Sequence, residues 1–533
     1  MDINKAIDIA LKNVARHGDT DVFPFQFERH VFFDKHKESK AILLEIHKKF
    51  EEIIAQDPAP TIETLTQVGY TGFRWTTLIE PFWNVYYLAL VIMLAEEIEN
   101  SRIPISDETI YSYRYRWDEE NSKLFIDSSW TDYRKRSIEL SSKYEYVVIT
   151  DIADFYSRIY HHRIDNALRR LKTPGDIPNR IKTMLQIFSN NVSYGLPVGG
   201  PASRILAELA LHSTDQQLLR RGIEFCRYAD DYSIFCKDKS EAYNVLVLLS
   251  EKLHNEGLSL QKKKTKIITT EEFRETAKLL DPLDANNPLA AEEQKLLNLS
   301  LRYDPYSETA DEDYEALKDA INGIDIIGIL GREISKTTID TTVSKQAIKA
   351  IQALDQYAQF GAVTTLLNQD NLYVLSPVFV TVMRTVKSLY DRMTDAGRDY
   401  IDHALISLYD SASYLLSIDL NLSYFIMCLA TRDSSRKQEV LIEIYDKATS
   451  PLIKRMIIIA MANWDCHYWL TDIKKNYGSF TVWEKRAFII ASYTLGDEGK
   501  HWRLHIKDNW NSRENLIKDW YSERLETNKV LPL

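Results

Sequence analysis

A chain of 533 residues, 45% hydrophobic with only 17 Gly and 15 Pro, exceeds what one core ordinarily serves and predicts two or three ordered domains. The formal net charge of −11 counts against a protein that simply coats nucleic acid, because phosphate binding relies on Lys and Arg displacing condensed counterions. Four cysteines without metal-ligand spacing argue against a zinc site or a disulfide framework. Cys226 and Cys236 are read as buried free thiols that could face each other across two strands, in a reducing cytoplasm.

Residues 1–19 contain acids and no continuous apolar stretch, unlike a secretory signal. The most apolar segment, Phe82 to Ala95, is too short to span a bilayer and ends in Glu96 and Glu97, so a soluble, cytoplasmic protein with no membrane partner is expected. Extended to residue 99, the same segment reads as a largely buried helix. From Tyr144 the texture changes. YEYVVIT is a β-branched run ending at Asp151, and IEFCRYA (223–229) and YSIFC (232–236) are two more. Residues 181–190 and 202–220 read as helices between them, and 240–255 as another after them. Strand, helices and then a hairpin make an α+β, palm-like order. Residues 281–315, with Pro282, Pro288, Pro305 and many acids, mark the best boundary, although LLNLSL within them could form a helix. Beyond 320 the pattern is helices, and KRMIIIAM (454–461) recurs as KRAFIIAS (485–492), a period of 31 that suggests stacked helical hairpins. The Trp464, Trp469, Trp483 and Trp502 rings are read as core, with base stacking as the alternative.

The chemistry centres on FCRYADDYSIFC, 225–236, where Asp230 and Asp231 sit between two strands. Nucleotidyl transfer needs one Mg²⁺ at the attacking oxygen and another at the leaving pyrophosphate, roughly 3.5–4 Å apart. A few carboxylates plus substrate phosphate satisfy Mg²⁺, so Asp151 at the end of one strand and the pair in the hairpin suffice if they meet. Alone, a DD turn is ordinary turn chemistry. Order changes the reading: between the aspartate sites lies GLPVGGPASRILAELAL (195–211), a Gly/Pro turn feeding a helix, and after the hairpin comes GLSLQKKKTKI (257–267).

DIADFY, GLPxGxxxS, YADD and GLxLxxxKTK, in this order, resemble motifs A to D of reverse transcriptases over Thr150 to Ile267. The resemblance implies that Asp151, Asp230 and Asp231 bind Mg²⁺, with Mn²⁺ as the alternative ion and the Ile152 carbonyl completing the shell. It places Tyr156 as an aromatic gate against a ribose 2′-OH, hence dNTPs as substrates, with Ile152, Gly195 and Pro197 also lining the nucleotide site. Lys264 matches a lysine near the triphosphate, a general acid toward pyrophosphate; Lys262, Lys263, Lys264 and Lys266 read equally well as a solvated basic edge, and packing is the alternative for Tyr156. Two positions depart from the pattern. Val198 stands where a polar residue, usually Gln, is common, and Arg204 where Pro is common; no match to a primer grip or the usual thumb follows.

These departures, with HGDTDVFPFQFE (17–28), WEKRA (483–487) and DEGKHW (497–502), resemble bacterial abortive-infection (Abi-type) and related defence-associated reverse transcriptases. The fold implied is α+β: reverse-transcriptase-like fingers and palm (1–280), an acidic connecting segment (281–319), and an all-α helical-repeat (HEAT-like) domain (320–533). The activity implied is phage defence by template-independent DNA synthesis, protein-primed, with single-stranded DNA left covalently on a Tyr or Ser hydroxyl of a homo-oligomer. None of the 30 tyrosines is selected by its spacing, and the phage trigger is not implied. The alternatives are a templated polymerase of retron or intron type and a catalytically silent scaffold.

Overall fold

The computed structural model describes residues 1–126, 130–171, 175–278 and 324–526, together with 292–293, 296–297 and 321. Most of the acidic segment 281–319, including all but two residues of LLNLSL, lies outside the described residues, as do residues 527–533. The chain divides into two compact units. The first comprises Met1–Glu63, Thr76–Ala277 and Asn511–Glu523; the second comprises Thr64–Trp75, Lys278–Trp510 and Arg524–Leu533.

The first unit is organised around one buried helix, Pro81–Ser101. Its apolar side chains run all the way round, which only a helix enclosed on every side tolerates. Glu80 caps it by accepting from the Trp83 amide at 3.0 Å, and Pro81 begins it with a pre-set φ. Helices Ile3–His17, Ile177–Phe188 and Pro201–Arg220 pack around it. No described helix is long and apolar enough to cross a membrane. Two hairpins that the hydrophobic pattern did not reveal lie in the first 140 residues: β1 (Thr61–Val68) with β2 (Gly72–Ile79), and β3 (Tyr115–Asp118) with β4 (Lys123–Phe125). Both are rich in polar and exposed residues, so they bury too little on one face to leave a clear two-residue period.

Four strands form the palm sheet: β5 (Tyr146–Asp151), β6 (Glu224–Tyr228), β7 (Asp231–Cys236) and β8 (Lys266–Thr269), in the order β6-β7-β5-β8 and antiparallel throughout. One face packs on helix Trp130–Ser141 through Tyr133, Leu140, Val147, Cys226 and Phe235. Helix Lys239–Asn255, capped by Asp238, packs against β5 and β7. The four cysteines are buried and free. Cys226 lies opposite Ser233 and Cys236 opposite Tyr146, so the hairpin register keeps these two thiols from facing each other.

Residues 324–510 of the second unit are helical, with no strand among those described, while its piece Thr64–Trp75 is the tip of the β1–β2 hairpin. Helices Thr341–Ala350, Phe379–Tyr390, Asp419–Leu429, Pro451–Asn463 and Val482–Ala491 pack each on the next, and Gln356–Leu367, Asp395–Asp410 and Ser435–Lys447 do the same. The two echoing segments are therefore neighbours in one row. Each opens on a Lys-Arg pair whose arginine is buried, and the Arg455 guanidinium lies 5.4 Å from the Trp483 ring on the following helix. Trp469 and Trp483 are buried, while Trp502 packs on Tyr477, Phe488 and Trp510.

Candidate active site

Register brings the aspartates together. Asp151, the last residue of β5, lies directly opposite Asp231, the first of β7, and Asp230 occupies the tight turn from β6. That turn closes with Tyr228 opposite Asp231, so Ala229 adopts φ +51°, a conformation costly for a residue with a Cβ. Three hydrogen bonds hold it there. The Ala229 amide donates to Ser112 Oγ at 2.8 Å, its carbonyl accepts from Arg227 Nη1 at 2.7 Å, and the Asp230 carbonyl accepts from the Ile152 amide at 3.2 Å. The last bond fastens the hairpin to the residue after Asp151.

Three carboxylates this close repel one another. Burial, then the charges of Asp230 and Asp151, push the Asp231 carboxyl up to about 7, against a smaller opposing effect of Lys264. The Lys264 ammonium donates to Asp151 from the turn before β8. Burial works against its charge, yet the bond to Asp151 and the charges of Asp231 and Asp230 hold it above the usual lysine value. The carboxylates do not converge into a ready-made metal cluster among the described residues. Mg²⁺ ordinarily completes its shell with water and substrate phosphate, so a partial set of protein oxygens is compatible with it.

Beyond Asp151 the chain turns through Tyr156, whose backbone is laced to the Gly/Pro loop. The Leu196 amide donates to the Tyr156 carbonyl at 2.8 Å, and the Gly195 amide to the Ile159 carbonyl at 2.9 Å. His161 Nε2 lies 2.7 Å from the Gly195 carbonyl, Gly195 has φ +101°, and Pro197 is buried. Burial holds the Tyr156 phenol well above its ordinary pKa, with Tyr113, Glu208 and Asp230 acting in the same direction and Arg204 against. Arg204 donates to Asp21 and stacks on Tyr113, 5.1 Å from the ring centroid. Gly199, at φ +103°, lies so close to residues 20–22 that a Cβ would meet Thr20, Asp21 and Val22 at 2.7–2.9 Å. The N-terminal segment 19–22 thus covers this loop.

Residues 106–297 match the family model for reverse transcriptase (RNA-dependent DNA polymerase). The chain carries a reverse transcriptase domain. It is accordingly a nucleotidyltransferase. No curated protein matches the chain. Among solved structures it is similar to apo telomerase from Candida tropicalis, at 12% identity and a TM-score of 0.28 over 65% of this chain and 72% of that one. It is also similar to telomerase from Candida albicans in complex with a TWJ fragment of telomeric RNA, at 11% identity and a TM-score of 0.32 over 83% and 67%. Scores this low bear on neither fold nor function.

The reverse transcriptase domain is supported from behind by an ion network that motif reading missed. Arg227, fully buried, donates to Asp215 at 3.0 and 2.7 Å and to Glu208 at 2.9 and 3.3 Å, besides holding the Ala229 carbonyl. Arg102 Nη2 and Ser112 Oγ complete the satisfaction of Glu208 at 2.6 and 2.5 Å, and the Tyr232 hydroxyl donates to Asp215 at 3.0 Å. Buried charges persist only when paired in this way. A signal was available: Glu208 and Asp215 lie seven positions apart on the apolar face of helix Pro201–Arg220, where unpaired acids would be costly.

Proposed function

We propose that this protein is a phage-defence polymerase of the abortive-infection type, which joins deoxynucleotides without copying a template and begins on a hydroxyl of the protein itself. Asp151, Asp230, Asp231 and the Ile152 carbonyl would hold Mg²⁺, or Mn²⁺ in its place, and the like-charge repulsion at Asp231 is what a cation there would relieve. When bound, the ions supply charge stabilisation at the entering and leaving oxygens. Lys264 then holds a proton beside Asp151 and delivers it toward pyrophosphate. Tyr156, fixed through its carbonyl to Leu196, excludes a 2′-OH, with Ile152, Gly195 and Pro197 forming the rest of the nucleotide's surroundings.

The observation that carries the template-independent reading is the Gly/Pro loop. Val198 supplies no side-chain hydrogen bond, and Arg204 is committed to Asp21 and Tyr113 while residues 20–22 press on Gly199. A strand tethered to its own polymerase also has a high effective concentration, so a chain of net charge −11 needs less electrostatic grip. In this reading residues 1–280 are fingers and palm, 281–319 a connector and 320–533 a HEAT-like repeat domain that supports self-assembly in the cytoplasm. The row-wise packing of alternate helices supports the repeat assignment.

The test is incubation of purified protein with Mg²⁺ and labelled dNTPs without template, followed by denaturing electrophoresis with and without nuclease. Label that migrates with wild-type protein, and is absent from Asp230→Ala, is the expected result. Synthesis that strictly requires a template would favour the retron or intron reading, and free DNA as the sole product would remove protein priming. Phage protection that survives Asp230→Ala with Asp231→Ala would favour the silent scaffold.

A further inference from the structure

The segment joining Tyr156 to helix His161–Arg170 pairs with the segment entering the Gly/Pro loop through a bridge between Tyr160 and Tyr194. Their rings lie edge to face, centroids 5.9 Å apart, yet remain 36% and 40% exposed. The two rings thus form one contiguous, partly solvent-exposed aromatic surface. Tyr160 is further fixed by His162, 5.3 Å away, and by Gly257, where any Cβ would collide with its ring. Arg158, two residues before Tyr160, is exposed and makes no side-chain hydrogen bond or ion pair among the described residues. Of the nearby acids, Asp165 is engaged by Arg169 and Lys182 and Glu256 by Arg163, while Asp154 is exposed. Tyr160 lies four residues past Tyr156, at most about 14 Å of chain, which is roughly four nucleotides of stacked strand at 3.4 Å each.

We propose that Tyr160 and Tyr194, with Arg158 beside them in sequence, form a stacking platform for single-stranded DNA leaving the polymerase site. Rings give sequence-tolerant stacking and the arginine holds phosphate, which suits a product of no fixed sequence. The proposal rests on the reading of Asp151, Asp230 and Asp231 as the site of synthesis.

The experiment measures fluorescence anisotropy of a labelled oligodeoxythymidylate of about twelve nucleotides, within the usual single-strand site size, on the full chain. Tyr160→Ala with Tyr194→Ala is expected to weaken binding by about tenfold or more, whereas Tyr160→Phe with Tyr194→Phe keeps it, since the ring and not the hydroxyl makes the contact. Arg158→Ala is expected to flatten the salt dependence of log K by about 0.7, one phosphate's worth for a single strand. In synthesis assays the alanine pair shortens products without slowing the first addition. Unchanged affinity, salt slope and product length in these variants, loss of binding in the phenylalanine pair, or tighter binding of the matching RNA would each overturn the proposal. Wild type that binds the oligonucleotide but makes no DNA would instead sink the reading of the polymerase site and leave the platform standing.

Discussion

At the scale of single residues the domain depends on a few charges that the fold forces together. Asp230→Asn keeps the volume of the side chain and removes its charge. It should cut dNTP incorporation at least about a hundredfold, since metal charge stabilisation is worth several kcal/mol. Thermal melts add a check on the ion itself: Mg²⁺ should raise Tm in wild type and have no effect on Asp230→Ala with Asp231→Ala. In the proposed reaction Lys264 has two separable roles, neutralising Asp151, to which it donates, and releasing a proton. Lys264→Arg keeps the cation but holds its proton too tightly to give it up. Both Lys264→Arg and Lys264→Ala should therefore lose about a hundredfold in kcat, and an active arginine variant would reduce Lys264 to an ion-pair partner.

Elements matter here because loops are held by other loops. The hairpin bearing Asp230 is fixed through Arg227 to Glu208 and Asp215 on helix Pro201–Arg220, so the helix that follows the Gly/Pro loop also sets the height of the Ala229–Asp230 turn. Glu208→Ala would leave Arg227 and Arg102 short of a buried counter-charge. It should lower stability by about 3–5 kcal/mol, read as a shift in the urea midpoint, and lower kcat in the protein that remains folded. Gly199→Ala tests the N-terminal cover over the same loop. It demands a positive φ from alanine, about 1–3 kcal/mol, and pushes Thr20, Asp21 and Val22 outward. A variant as stable as wild type would show that segment 19–22 is not held there.

On the scale of the whole molecule the chain is not a string of consecutive domains. Residues 511–523 return to the first unit, where Trp520 stacks on Phe27 at 6.0 Å and donates to Asp34 at 2.7 Å, and Arg513 pairs with Asp57 and Glu80. Trp520→Ala should cost about 3–5 kcal/mol in the transition that reports on the polymerase unit, and residues 1–280 expressed alone should melt lower than the full chain. Much of the local chemistry was legible from residues 144–267. A palm strand buried on its sheet faces has to be β-branched and apolar, and a polymerase turn has to carry adjacent acids, so both leave a mark in neighbouring letters. The helices at 82–99, 202–220 and 240–255 were legible for the same reason, their periodicity being local. What the sequence by itself determined is therefore the order: motifs bearing Asp151, Asp230 and Asp231 within a reverse transcriptase domain, followed by a helical half. Only the tertiary structure decided which distant groups complete it. The Asp151–Asp231 register, the Arg227 network, Asp21 on Arg204 and residues 511–523 within the first unit join residues tens to hundreds of positions apart. Such contacts are selected by the free energy of burial and charge pairing in three dimensions, which leaves no fixed spacing along the chain.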